Sequence, residues 1–273
     1  MRATAETFDL AGVEGLILDL DGTLHNGGVA APGAIELLAW LRQRKIPFVF
    51  CTQDAEYGEA HVHSRLRAAG LDARQEEIVS GGAAAVAFLK ARYDDAPIEA
   101  IATPRQGQYF ADRGIRLAAK GDKPAALLLL SYNGFSGGDL DRACQTVWAG
   151  ADFLTLALDR SFRMPQGLIP GLGAFAKAVE HVTRKRARVL GKPSHEIAAA
   201  ALAKLGTSAG ATLVVGDNLD ADIRMGRNIG ARTILTLSGT TSLADLTRVR
   251  PAERPDAAID DVSVLLQALK TQL

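Results

Sequence analysis

Short apolar runs that each end on a polar residue recur along this chain, and they constrain its fold more than any other feature. Leu16-Ile17-Leu18 runs into Asp19, Ile46 to Cys51 runs into Thr52, and Thr212 to Val215 runs into Gly216-Asp217. Each run is too short for a helix, and each is followed by a loop and then by a segment with helical character. That alternation predicts an α/β fold with parallel strands, which read as apolar runs because both of their faces are covered. The polar strand ends then fall along one edge of the sheet, where open α/β proteins commonly put their sites.

The pattern divides the sequence into three regions. The first has strands at Gly15 to Leu20 and Ile46 to Cys51, a helix beginning near Pro32 with Ile35, Leu38 and Leu41 at helical spacing, and a helix ending near Ala69. Residues 80–186 read as a second, smaller α/β domain. Its helices are predicted at Ala83 to Leu89 and Asp139 to Ala149, and its strands at Ile98 to Ala102 and Leu127 to Leu130. Tyr132 to Gly138 and Pro165 to Gly173 read as loops. From 187 onward the first pattern returns, with strands at Ala187 to Leu190, Thr212 to Val215 and Ile234 to Leu237. Helices are predicted at Glu196 to Leu205 and Ile223 to Gly230, and a last strand and helix after Pro255. Residues 1–79 and 187–273 therefore form one expected domain, interrupted by 80–186.

Composition removes several function classes. With 48% hydrophobic residues, the 273-residue chain can bury a substantial core, and wholesale disorder is not expected. Its 31 basic and 31 acidic residues balance, so no global field favours nucleic acid or an anionic membrane. Apolar stretches are too short or too interrupted to span a bilayer, no signal-peptide core opens the chain, and a soluble cytoplasmic protein is expected. Cys51 and Cys144 lack metal-binding spacing and read as buried free thiols.

Four sites along the sequence carry the chemistry. Asp19-Leu20-Asp21-Gly22-Thr23 brings two carboxylates to a strand exit, where alternate residues can face one site and Gly22 permits a sharp turn. Asp and Gly are also ordinary turn residues, so the pair alone has a structural reading. Gly216-Asp217-Asn218-Leu219-Asp220-Ala221-Asp222 is a second acidic cluster after a strand, and an oxygen-rich site made with Asp19 and Asp21 suits Mg²⁺. Its alternative is a helix start decorated with acids. Gly191-Lys192-Pro193 adds a cation able to hold phosphate, or a solvated lysine, and Thr52 adds a hydroxyl, or an ordinary strand end.

Taken in order, Asp19/Asp21, Thr52, Lys192 and Asp217 resemble the four-motif arrangement of the haloacid dehalogenase (HAD) superfamily. The insertion between Thr52 and Lys192, Gly191-Lys192-Pro193-Ser194, the Gly216 to Ile223 passage and Ser238-Gly239-Thr240-Thr241 resemble its NagD-like class IIA branch. The resemblance implies a Rossmann-like core with a parallel sheet and an inserted C2-type α/β cap. It also implies a Mg²⁺-dependent phosphatase acting on small-molecule phosphate monoesters such as sugar phosphates or nucleotides, and it allows a homodimer. By that resemblance Asp19 is the nucleophile that forms an aspartyl-phosphate, and Asp21 protonates the leaving oxygen and then assists water. Thr52 and Lys192 bind phosphoryl oxygens. Mg²⁺ is held by Asp19, the Asp21 carbonyl and Asp217. Gly22 and Thr23 support the nucleophile loop, Asp222 organises the acidic loop, and Asn218 and Asp220 are second-layer or capping residues. No histidine is assigned a catalytic part.

The chain departs from the branch in two places. Gln53-Asp54 follows Thr52 where asparagine is common; the Gln53 amide is expected to donate to phosphate, and Asp54 to turn outward or oppose the substrate. In Leu156-Ala157-Leu158-Asp159-Arg160 two polar options of the branch are lost, leaving Asp159 as a cap contact and Arg160 as a phosphate contact, or both in core or surface roles. Tyr132, Asn133, Phe135, Phe162 and Arg163 are further cap candidates. These departures motivate an alternative: a catalytically weak or inactive protein that binds a phosphate ligand.

Overall fold

In the computed structural model, which describes residues 8–131, 135–164 and 167–273, the chain falls into two compact units. One comprises the described residues up to Thr52 together with Glu59–Val79 and Ile197–Leu273. The other comprises Gln53–Gly58 and Ser80–Glu196.

The first unit is built on a six-stranded sheet in the order Ala257–Ile259, Arg232–Thr236, Thr212–Gly216, Gly15–Leu18, Phe48–Thr52, Ile78–Ser80. Gly15–Leu18 pairs in parallel with Phe48–Thr52 on one side and with Thr212–Gly216 on the other, Leu18 lying beside both Phe50 and Val215. The chain thus leaves its first strand in one direction and returns on the opposite side. That makes the carboxyl end of Gly15–Leu18 a topological switch point, where an open sheet offers a crevice.

All residues of Gly15–Leu18, Phe48–Thr52 and Thr212–Gly216 are buried, as parallel strands with both faces covered require. On one face Leu16, Leu18, Phe50, Leu213 and Val215 share a core with Leu37, Leu38 and Leu41 of helix Ala34–Arg44 and Leu265, Leu266 and Leu269 of helix Val262–Gln272. Spacings of three and four residues put those leucines on one stripe of each helix. Phe48 and Phe50 meet edge to face with centroids 5.4 Å apart. Pro32, expected in the first helical turn, falls just before it, because Gly33 occupies the N-cap in a left-handed conformation.

The second unit has its own four-stranded sheet in the order Arg188–Val189, Asp152–Thr155, Ala126–Leu129, Ile98–Ile101, all parallel. Its core joins Leu127, Leu128 and Leu129 with Phe110, Val147, Ala176 and Val179. Helices Pro104–Asp112 and Gly137–Trp148 start at capping boxes, Thr103 with Gln106 and Ser136 with Asp139.

Two expectations change. The boundary placed between 186 and 187 lies instead after Glu196, because Arg188 and Val189 pair with Leu154 and Thr155. Residues around the passage read as the Pro165 to Gly173 loop form two antiparallel strands, Ser161–Met164 and Gly167–Pro170, followed by helix Leu172–Thr183. Gly167 and Pro170 read as turn signals, whereas here both lie in a strand of a hairpin, paired with Met164 and Ser161.

Phe50 is fully buried among the strands and helices of the first unit. Phe50→Ala is expected to cost about 3–5 kcal/mol, whereas Val29→Thr, at an exposed position, is expected to stay within about 0.5 kcal/mol. Denaturant unfolding followed by circular dichroism checks both.

Candidate active site

Asp19 follows the central strand directly, Thr52 ends its neighbour, and Asp217 follows the strand on the other side. Parallel strands in register bring such positions to one edge about 5 Å apart, as the polar strand ends predicted. All three are buried in spite of their polarity, at 7%, 5% and 4% exposure.

The Asp19 carboxylate is held from its own loop. Thr23 Oγ1 donates to Asp19 Oδ2 at 2.9 Å, and the Asp19 N–H donates to the Val215 carbonyl at 2.9 Å. Thr23 is itself buried, with Thr236 Oγ1 3.4 Å from its hydroxyl. Its contact with the carboxylate goes beyond the loop-fixing part expected of it. Gly22, at φ +92°, makes the turn that brings Thr23 back under Asp19.

Asp217 is fixed by the Ser238 to Thr241 segment, for which the sequence suggested no role. Thr240 N–H donates to Asp217 Oδ2 at 2.5 Å, and Thr241 N–H to the Asp217 carbonyl at 3.3 Å. Ser238 Oγ closes the loop onto the Gly22 carbonyl at 2.8 Å. Asp222 is buried at 2% and accepts the Asn218 N–H through Oδ2 at 3.2 Å. Asn218 acts as a cap, its Oδ1 accepting from Asp220 N and Ala221 N. Asp220 turns to Arg224 on the surface, 2.8 Å away.

Three glycines leave room for these carboxylates. A Cβ on Gly22 would lie 2.5 Å from Asp217 Oδ2, one on Gly239 would lie 2.1 Å from the same atom, and one on Gly216 would lie 2.2 Å from Asp222 Cγ. The result is that Asp19, Asp217 and Asp222 each present a carboxylate oxygen within 4.8 Å of the others. A cation among three buried carboxylates so close would offset their repulsion, and hard oxygen donors suit Mg²⁺. Asp222, read from sequence as an organiser of the loop, also stands in the same acidic cluster as Asp19 and Asp217. An i, i+5 spacing from Asp217 gives no sequence signal for that, because the intervening wide helical turn Leu219–Ile223 brings it back.

The Asp21 side chain is not part of this cluster. It is 62% exposed and pairs with Arg65 at 3.2 Å, with His25 Nε2 3.7 Å away. Burial holds the His25 imidazole below its ordinary range, against the pull of Asp21, and its Nδ1 has no hydrogen-bond partner among the described residues.

Lys192, 3% exposed, belongs to the second unit. Gln53 holds its backbone: Oε1 accepts the Lys192 N–H at 2.8 Å, and Nε2 donates to the Lys192 carbonyl at 3.1 Å and the Leu156 carbonyl at 3.5 Å. The expectation that the Gln53 amide donates to phosphate is thereby corrected, since its acceptor and both donor directions face main chain. Asp54 likewise turns to its own loop, Oδ1 accepting from the N–H groups of Glu56, Tyr57 and Gly58.

In the segment after Thr155, Leu156 and Ala157 are buried in the core of the second unit. The carbonyls of Asp159 and Arg160 accept from Gly173 and Gly171 at the entrance of helix Leu172–Thr183. Phe135 packs edge to face on Phe175, centroids 4.9 Å apart. Tyr132 and Asn133 lie outside the described residues, as do the side chains of Phe162 and Arg163. Cys51 and Cys144 are both buried, as expected. Among the described residues no helix is long and apolar enough to cross a membrane.

Comparison with known proteins agrees with this architecture. Residues 16–116 match the model of the haloacid dehalogenase-like hydrolases, and 189–265 match a second, HAD-hydrolase-like model. A D-glycerol 3-phosphate phosphatase of Mycobacterium tuberculosis is 30% identical over 99% of this chain and 74% of its own length. Chronophin of Rattus norvegicus is also 30% identical, over 98% of this chain and 92% of its own. Among solved structures, NagD from E. coli K-12 superposes with a TM-score of 0.78 at 27% identity, covering 92% and 97% of the two chains. A glycerol phosphate phosphatase from Mycobacterium tuberculosis in complex with magnesium superposes at 0.81 and 27% identity, covering 97% and 78%. The chain belongs to the haloacid dehalogenase-like hydrolases. Within them it falls in the NagD-like class IIA branch.

The packing of Gly239 against Asp217 makes a direct test. Gly239→Ala is expected to displace the Asp217 carboxylate and weaken Mg²⁺ binding at least about tenfold, since one carboxylate of the acidic cluster is misplaced. Calorimetric titration with Mg²⁺, beside a circular dichroism spectrum matching wild type, checks it.

Proposed function

We propose that this protein is a phosphatase that hydrolyses small-molecule phosphate monoesters through an aspartyl-phosphate on Asp19. The observation that carries this reading is the buried, oriented Asp19 carboxylate, held by Thr23 at the switch point and grouped with Asp217 and Asp222. Relatives named as phosphatases of glycerol phosphate and of sugars support the substrate class.

Asp19 attacks phosphorus in line, the bond from phosphorus to the ester oxygen breaks, and Asp21 gives its proton to the departing alkoxide. Water then attacks the aspartyl-phosphate, passes a proton to Asp21, and releases inorganic phosphate and free Asp19. Thr52 and Lys192 bind the phosphoryl oxygens, Lys192 as a cation that offsets their charge. Asp19, Asp217 and Asp222, with the Asp21 carbonyl, are the groups that would hold Mg²⁺, which when bound would lower the repulsion between carboxylate and phosphate. The Thr23 hydroxyl keeps Asp19 in a single orientation, which restricts attack to one path.

The reading of an inactive phosphate-binding protein rested on Gln53-Asp54 and on the altered Leu156 to Arg160 segment. Gln53 and Asp54 both bond to backbone, and Leu156 and Ala157 pack in a core, so these changes give no reason to expect lost chemistry.

Phosphate release from a panel of sugar phosphates, glycerol phosphates, nucleotides, phosphoglycolate and pyridoxal phosphate tests the proposal. The wild type is expected to turn over at least one class with Mg²⁺, to stop with chelator and to recover on adding Mg²⁺. No release from any of them would defeat it. Asp19→Asn is expected to lower kcat by about a thousandfold or more with the fold intact, because the amide cannot form the intermediate. Thr23→Val, which removes the hydrogen bond to Asp19 together with the longer contact to Thr236, is expected to lower kcat about tenfold with KM little changed.

A further inference from the structure

We infer that Gln53 is a positioning residue that fixes Lys192 through its backbone; the inference rests on the proposed part of Lys192 in binding the phosphoryl group. A primary amide that accepts from the N–H and donates to the carbonyl of one residue forms the same two-bond pairing as a neighbouring strand. Gln53 makes that pairing with Lys192, at 2.8 Å and 3.1 Å, and continues to the Leu156 carbonyl at 3.5 Å. Both soft torsions of Lys192 are thereby constrained, and with them the direction in which its side chain leaves the backbone.

The surroundings are shaped for this clamp. A Cβ on Gly191 would lie 2.3 Å from Gln53 Oε1 and 2.5 Å from the Leu156 carbonyl oxygen, so the glycine leaves the space in which the amide sits. Gly191 N–H donates to the same Leu156 carbonyl at 3.1 Å, and Ser194 ties the loop from its other end through its N–H to Gly191 O and its hydroxyl to Leu190 O. The two places where the chain departs from its branch therefore meet. The longer amide at 53 bonds the main chain at 156 and 192, a span that an asparagine, one methylene shorter, does not reach from the same backbone.

A lysine held this way binds phosphate without first ordering its own loop, so loss of the clamp weakens phosphate binding only while the Lys192 ammonium is present. A group that met phosphate by itself would weaken binding in either background.

The test uses the full chain, inorganic phosphate with Mg²⁺ as the probe, and four proteins: wild type, Gln53→Ala, Lys192→Met and the double variant. Gln53→Ala is expected to raise amide hydrogen exchange at Lys192 and to weaken phosphate binding about tenfold, the scale of one or two lost hydrogen bonds. In the Lys192→Met background the same change is expected to alter affinity less than about twofold. Gln53→Asn, which leaves the fold least disturbed, is expected to follow Gln53→Ala. Unchanged exchange at Lys192, or a tenfold loss that persists without the Lys192 ammonium, would overturn the inference. If wild type neither binds phosphate nor releases it from any ester, the proposed function fails, and the exchange at Lys192 alone then decides whether the clamp exists.

Discussion

Burying three carboxylates within a few ångströms of one another is the constraint on which the rest of the first unit depends. Each of Asp19, Asp217 and Asp222 has one oxygen tied to a neighbour: the Thr23 hydroxyl, the Thr240 N–H and the Asn218 N–H. Those bonds orient the acids, and a cation placed among them would offset the repulsion of like charges in a poorly solvated place. The absence of side chains at Gly22, Gly216 and Gly239 belongs to the same constraint, since a methyl group at any of them would occupy the place of a carboxylate.

The sheet supplies the precision. Asp19 and Asp217 follow adjacent parallel strands whose register is set by apolar pairs such as Leu18 with Val215. Every residue of those strands is buried, and one face packs on helices Ala34–Arg44 and Val262–Gln272, so the strand ends cannot shift without disturbing the core. Function is carried by loops and stability by the strands beneath them, which is why residues as ordinary as Ser238 and Thr240 become parts of the site.

The second unit shows a different use of polar groups. Gln53 reads in sequence as an amide for phosphate and Asp54 as a charge that turns outward or opposes the substrate, and in the structure both serve the main chain around them. A side-chain amide and a backbone offer phosphate-like partners equally well, so residue type alone does not say which it meets. The region from Ser161 to Thr183 gives a parallel lesson. Its glycines and prolines are turn formers when read locally, yet Met164 pairs with Gly167 and a helix begins at Leu172.

What the sequence determined by itself is the alternation of strands and helices through most of the first unit and the polar residue at the end of each central strand. Those follow from local hydrophobic period and from the chemistry of Asp, Thr and Lys, which any window of the chain displays. Tertiary structure alone decided that Asp222 joins Asp19 and Asp217 while the Asp21 carboxylate turns to Arg65. It also decided that the second unit runs through Glu196 and that Gln53 holds Lys192. Each of these rests on contacts between segments far apart in sequence or on a change of helical pitch, and neither leaves a periodic trace in the order of the residues.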